Sequence, residues 1–183
     1  MTRTRNRRLL RPPIVGVDAV TIPLTRGRSA IIDLADAEVA WRNWHTMDVG
    51  RGTSYAVSRQ KGDGRTCWLH RVIAERMGLD IAGKEVDHID GDGMNNRRSN
   101  LRAATRMENV RNTRVRKDST TGMKGVTVVV KGKGKPRYRV KIRVDKHPVH
   151  IGYFKTPEEA DEAYRQAALR FHGSFVRKEI PCP

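Results

Sequence analysis

The residues best equipped for chemistry lie between 86 and 109. Asp87 and His88 stand side by side after Val86, Asn100 follows a loop of Gly, Asp and Asn, and Asn109 comes soon after. An imidazole titrates near neutral pH, so His88 could accept a proton from water. The oxygen donors of Asp87 and Asn109 are hard ligands, suited to magnesium, or manganese, rather than zinc. Two protein ligands leave room for waters and substrate. A carboxylate, an imidazole and an amide oxygen of this kind could converge on one phosphate, where a divalent cation polarises the phosphoryl oxygens. Two plainer readings compete. The stretch could be only a polar turn. Asp90 and Asp92 could belong to a calcium loop, but the glutamate that closes an EF-hand loop is missing.

These side chains need elements to hold them. A short apolar strand should end at Asp87-His88, and Leu101-Arg102 is a second strand. Thr105 with Glu108 fits a capping box, so a helix should begin there and carry Asn109. Upstream, His70 to Met77 reads as a helix stopped by Gly78, with Val72, Ile73, Ala74 and Met77 as its packing positions.

The pattern resembles the HNH endonuclease family, in its phage and mobile-element (homing-type) branch. Three features carry the resemblance: Asp87-His88, Asn100-Leu101 after Asn95-Asn96-Arg97, and Asn109 on the capped helix. Leu69-His70-Arg71 before an apolar helix is similar to that branch too. The resemblance implies a ββα-metal (His-Me finger) core. It implies that His88 is the general base, that Asp87 and Asn109 are metal ligands, and that Asn100 fixes the finger and orients the histidine. Asn109 stands where the name-giving motif has histidine. Hydrolysis leaving 3′-hydroxyl and 5′-phosphate ends follows from the same likeness. Arg71 is a candidate phosphate contact, and His70 a brace.

Composition bounds the partners. The 183 residues carry 37 Lys and Arg against 20 Asp and Glu, a formal charge of +17. Such an excess calls for a polyanion, most simply double-stranded DNA, with a membrane surface the weaker choice. No apolar run is long enough to span a bilayer, and Leu9-Leu10 is too short for a signal peptide. Cys67 and Cys182 form no CxxC pair, so neither a zinc site nor a disulfide framework is expected. A reducing cytoplasm, that of a host cell if the gene is phage-borne, fits this usage. Oligomeric state is not legible.

Along the chain, residues 1–13 form a basic arm with Arg3, Arg5, Arg7 and Arg8. Residues 14–113 should hold the nuclease domain with a β-rich leader. In that leader, Val20–Leu24 and Ser29–Ile32 read as a hairpin, and Asp33 as the cap of a helix through Trp41. Ser54–Ser58 and Thr66–Leu69 read as two strands. Trp41, Trp44 and Trp68 are expected in the core. Residues 114–122 read as a linker, 123–176 as a second domain and 177–183 as a tail.

The second domain has its own pattern. From Arg137 to Val144 the residues alternate strictly, with Tyr138, Val140, Ile142 and Val144 on one face and Arg137, Arg139, Lys141 and Arg143 on the other. Period two means one buried and one cationic face. Strands are also expected at 125–131 and 149–154. Thr156-Pro157-Glu158-Glu159 combines an N-cap, a proline at the first helical position and a capping box. The helix it opens has an apolar stripe of Ala160, Ala163, Tyr164, Ala167, Ala168 and Phe171 and stops at Gly173. Gly125-Val126, Tyr138–Arg143, Ile151–Phe154 and Thr156–Gly173 together resemble the plant APETALA/ethylene-response-factor (ERF) DNA-binding domain. That likeness implies a sheet lying in the major groove, with Arg139, Lys141 and Arg143 as contacts. Thr127 stands where the plant proteins have a base-reading arginine, so their target sequence does not transfer.

The expectation is an α+β chain: an HNH nuclease domain plus a small three-stranded antiparallel sheet packed on one helix. Its function would be metal-dependent DNA cleavage, targeted by the C-terminal domain. The competing class is a non-catalytic, sequence-specific transcription regulator on a decayed finger, which the intact Asp87, His88, Asn100 and Asn109 disfavour.

Overall fold

A computed structural model describes residues 11–50, 52–59, 62–113, 115, 119–130 and 134–176. Most of the basic arm, four positions of the expected linker, part of the 131–136 turn and the tail lie outside the described residues. The chain divides into two compact units, one ending at Arg106 and the other beginning at Met107. The architecture is mixed, with small antiparallel sheets and few helices.

The first unit opens with strands β1 (Ile14–Val15), β2 (Ala19–Pro23) and β3 (Ser29–Asp33) in one antiparallel sheet. The β2–β3 hairpin is the expected one, closed by a short 3-10 turn at Thr25–Gly27. Where an α-helix is expected after Asp33, the chain makes a 3-10 helix, Leu34–Trp41. Asp33 does not cap it; its Oδ2 accepts the backbone N–H of Arg98 at 2.6 Å. A long-range acceptor role has displaced the local one. Trp44 is buried, and its indole N–H donates to Val39 O at 2.8 Å. Trp41, expected in the core, is 69% exposed, because it ends the 3-10 segment on the solvent side.

Strands β4 (His45–Asp48), β5 (Ser54–Arg59) and β6 (Thr66–Trp68) form a second sheet. Helix α1 (Leu69–Arg76) follows without a break, and Gly78 beyond its end adopts φ 71°. Strands β7 (Glu85–His88) and β8 (Leu101–Ala104) pair as a hairpin, with Asp87 opposite Arg102 and His88 opposite Leu101. One core runs through most of these, from Val20, Ile32, Trp44 and Ala56 to Leu69, Ile73, Val86, Met94 and Leu101.

Helix α2 (Arg106–Arg111) starts one residue after Thr105 and, from Met107 on, belongs to the second unit. The Lys124 ammonium donates to the carbonyls of Arg111 at 2.5 Å and Thr113 at 3.0 Å, filling acceptors that a helix end leaves open. Strands β9 (Val126–Val129), β10 (Arg137–Val144) and β11 (His147–Phe154) make one antiparallel sheet with β10 central. Helix α3 (Pro157–His172) covers one face through Ala160, Tyr164, Ala167 and Ala168. Its cap is the expected one: Thr156 Oγ1 accepts from Glu159 N at 3.2 Å, and Glu159 Oε2 accepts from Lys155 N at 3.1 Å. Gly125 has φ +70°, and a Cβ there would lie 2.3 Å from the Tyr164 ring. Only glycine allows that approach. Among the described residues, no helix is long and apolar enough to cross a membrane.

Candidate active site

The hairpin loop is self-organised. Asp90 Oδ1 accepts from Asp92 N at 2.8 Å, and Asp92 Oδ1 accepts from Met94 N at 3.0 Å. Such side-chain turns are why Asp and Asn crowd this stretch. Asn100 closes the loop. Its Oδ1 accepts from Asp90 N at 3.0 Å, and its Nδ2 donates to Asp90 Oδ1 at 2.9 Å and Asn95 O at 2.7 Å. Asn100 therefore clasps the two ends of the loop, and its backbone carbonyl accepts from Ile89 N at 2.9 Å.

The His88 ring donates its hydrogen bond to Asn96, a residue not singled out as a site residue in the sequence. Its amide is fully buried. Asn96 Nδ2 donates to Met94 O at 3.0 Å and Gly93 O at 3.4 Å, so Oδ1 faces His88 Nε2 at 3.2 Å. Oδ1 can only accept, which puts the ring hydrogen on Nε2 and the lone pair on Nδ1. Burial lowers the His88 pKa, while Asn96 and the carboxylates of Asp90, Asp87 and Asp92 act in the opposite sense. The ring is therefore neutral at pH 7, as a base must be before it takes a proton.

The leader holds Asn96 in turn. Ile31 N donates to Met94 O at 2.9 Å and Asn96 N donates to Ile31 O at 2.8 Å, adding a parallel bridge from β3 to the loop. The fully buried Asp36 gathers Arg98 and Arg76. Arg98 Nε lies 2.8 Å from Oδ2, and Arg76 Nε lies 2.7 Å from Oδ1. The hydrogen bond from Arg98 is the largest of the effects that hold this carboxyl below its usual range.

Two more rings stand beside His88, and a third packs on them. The His70 centroid lies 5.3 Å from that of His88, edge on, and Tyr55 lies 5.2 Å from His70 and 5.7 Å from His88. Trp68 touches both Tyr55 and His70. His70 is buried, and its Nδ1 has no hydrogen-bond partner. Burial first, then the neighbouring His88 and Arg71, pushes its pKa down to about 3. Gly93 lies flat against this group: a Cβ would meet Ser54 O at 2.3 Å and the Tyr55 ring at 2.8 Å. Tyr55 and Trp68 look in the sequence like ordinary strand residues, and only the fold makes Tyr55 a neighbour of His88, with Trp68 behind it.

Asp87 is buried beside His88. Its Oδ2 accepts from Arg102 Nε at 2.9 Å and Nη2 at 2.7 Å, across the hairpin. Arg71 donates to Lys84 O at 3.5 Å, tying α1 to the loop before β7. Asn109 lies on α2. Among the described residues, no three His, Cys, Asp or Glu side chains are grouped to hold a metal ion. A cation held by such side chains alone does not fit this donor set. A hydrated hard cation, completed by water and substrate oxygens, does.

In the second unit the cationic face is as the alternation predicts: Arg137, Lys141 and Arg143 are exposed, and Val140 and Ile142 are buried. Arg139 is half-buried between Thr127 and Tyr153, its neighbours across the strands, and its Nε is buried without a partner. Tyr153 and His150 lie edge to face at 4.9 Å. They are opposite Arg139 and Lys141, so aromatic and cationic side chains share one face.

Residues 67–111 match a family model described as HNH endonuclease. The match runs from β6 to the end of α2 and covers about a quarter of the chain. The leader strands and the C-terminal sheet lie outside it. Comparison with curated proteins and with solved structures found no match.

Proposed function

We propose that this chain is a metal-dependent HNH endonuclease of the homing or phage type, acting on double-stranded DNA. The observation that carries the reading is His88, buried, neutral and held by Asn96 with its Nδ1 basic, next to the carboxylate of Asp87. His88 takes the proton from a water as its oxygen attacks phosphorus in line. The bond from phosphorus to the 3′-oxygen breaks, leaving 5′-phosphate and 3′-hydroxyl ends. A magnesium ion, or manganese, held by Asp87 and Asn109 would supply charge stabilisation at the phosphoryl and leaving oxygens. Arg102 keeps the Asp87 carboxylate in place. Asn100 shapes the loop, and Asn96 orients the base.

The C-terminal ERF-like unit brings the enzyme to DNA. Arg137, Lys141 and Arg143 are exposed in a row suited to a groove, with the half-buried Arg139 on the same strand face between them. Arg71 adds a phosphate contact beside the site.

The test is supercoiled DNA incubated with magnesium, with and without chelator, and scored for nicked or linear forms. The native protein should cut only with metal. His88→Ala should lose cleavage by about 10²–10⁴-fold while duplex affinity stays within a few-fold. Undiminished cleavage by His88→Ala removes it as the base. A native protein that binds DNA but never cuts is the regulator instead.

A further inference from the structure

The ring cluster beside His88 contains one polar atom whose purpose packing does not explain. The Tyr55 ring is wedged between His70, His88 and Trp68, with Gly93 against it. A phenylalanine would make the same ring contacts. Among the described residues the Tyr55 hydroxyl has no hydrogen-bond partner. Nor is it among the buried side-chain atoms left without a partner, so the hydroxyl keeps some exposure to solvent. Burial first, and then the negative charges of Asp87 and Glu85, hold the phenol above its usual range. At neutral pH it is an O–H donor standing close enough to Asp87 to feel its charge. An incoming phosphodiester engaged by His88 and Asp87 would bring its non-bridging oxygens to that donor.

We propose that Tyr55 is a catalytic residue whose hydroxyl donates a hydrogen bond to a non-bridging oxygen of the scissile phosphate. The inference rests on the nuclease reading above and extends it in one respect. Tyr55 lies in the leader, outside the stretch 67–111 that matches the HNH endonuclease model, so the site is built from more of the chain than that domain. The position is a consequence of packing. Strand β5 pairs with β6, β6 runs directly into α1, and Gly93 brings the loop after His88 against the ring. A donor fixed in this way needs no reorganisation as charge builds on the phosphoryl oxygens, the condition under which one hydrogen bond contributes most to rate.

The experiment compares native protein with Tyr55→Phe on a duplex carrying a mapped cut site, in single-turnover cleavage, duplex binding and thermal unfolding. The expected result is a rate about 10- to 100-fold lower, with duplex Kd within about two-fold and Tm unchanged, since only the hydroxyl is lost. A second readout uses the two phosphorothioate diastereomers at that site. Sulfur accepts hydrogen bonds poorly. In one diastereomer it replaces the oxygen that Tyr55 contacts, and there it should slow the native protein, unrescued by manganese. Tyr55→Phe should show no comparable slowing. Each such ratio is taken within one protein, so partial unfolding of the variant cancels. Native-like cleavage by Tyr55→Phe, or identical sulfur effects in both proteins, overturns the inference and leaves the nuclease reading standing. A native protein that cuts no DNA with any divalent metal overturns both.

Discussion

The two units use charge in opposite ways. The first turns polar groups inward: Asp36, Asp87, His70, His88, Asn96 and Asn100 are all buried, most within hydrogen-bond networks that cross between elements. The second keeps its core small and apolar, around Val126, Val140, Ile142, Ala160, Ala167 and Ala168, and sends its cations outward. Burying polar groups costs free energy unless every one is partnered, but a network so partnered sets positions closely. An outward row of long side chains is loosely placed yet meets a polyanion at little desolvation cost. The first arrangement suits bond-breaking, the second attachment.

The largest expected effect tests whether the inward charges hold the first unit together. Asp36→Ala strips Arg76 and Arg98 of their common partner and frees the loop that carries Asn96. The loss should be about 3 kcal/mol, the low end for breaking a buried pair because the arginine ends reach water. Denaturant unfolding measures it. A loss under about 0.5 kcal/mol would mean that the network is incidental.

The outward face comes next. Arg139→Ala with Arg143→Ala should weaken DNA binding by about 1–3 kcal/mol for each contact made to a base, and less for a contact made to phosphate. Binding to matched and scrambled duplexes across a salt series separates these cases, because phosphate contacts alone change the salt slope uniformly. Unchanged affinity would leave the basic face without a role in binding.

The last test concerns acid. His70 has a depressed pKa in the folded state, about 3 against 6.5 when free. The unfolded chain therefore binds a proton that the fold refuses. The contribution is fully present above about pH 6.5 and is lost as pH falls towards 3, at up to about 1.4 kcal/mol per pH unit. His70→Phe should flatten this slope in unfolding measured from pH 7 to 5. An equal slope in both proteins would mean that burial of His70 does not govern acid sensitivity.

Much of this was legible in the chain itself. Strict alternation in Arg137–Val144 determines which side chains face the helix, because strand periodicity is local. Thr156, Pro157 and Glu159 define the start of α3, because a cap is made within one turn. The strand, Asp/Asn loop, strand and helix order around Asp87, His88, Asn100 and Asn109 is also present, since Asx turns and hairpin register act over a few residues. Tertiary structure decided the rest. Asp33 left its expected capping role because Arg98, distant in sequence, outweighs the local propensity, and Trp41 ended on the solvent side of its 3-10 segment. Asn96 holds the His88 ring because Ile31 pins its backbone and two carbonyls fix its amide. Tyr55 stands at the site because a sheet, a helix and Gly93 converge there. No periodicity encodes such meetings; they exist only once apolar surfaces far apart in the chain have been buried against one another.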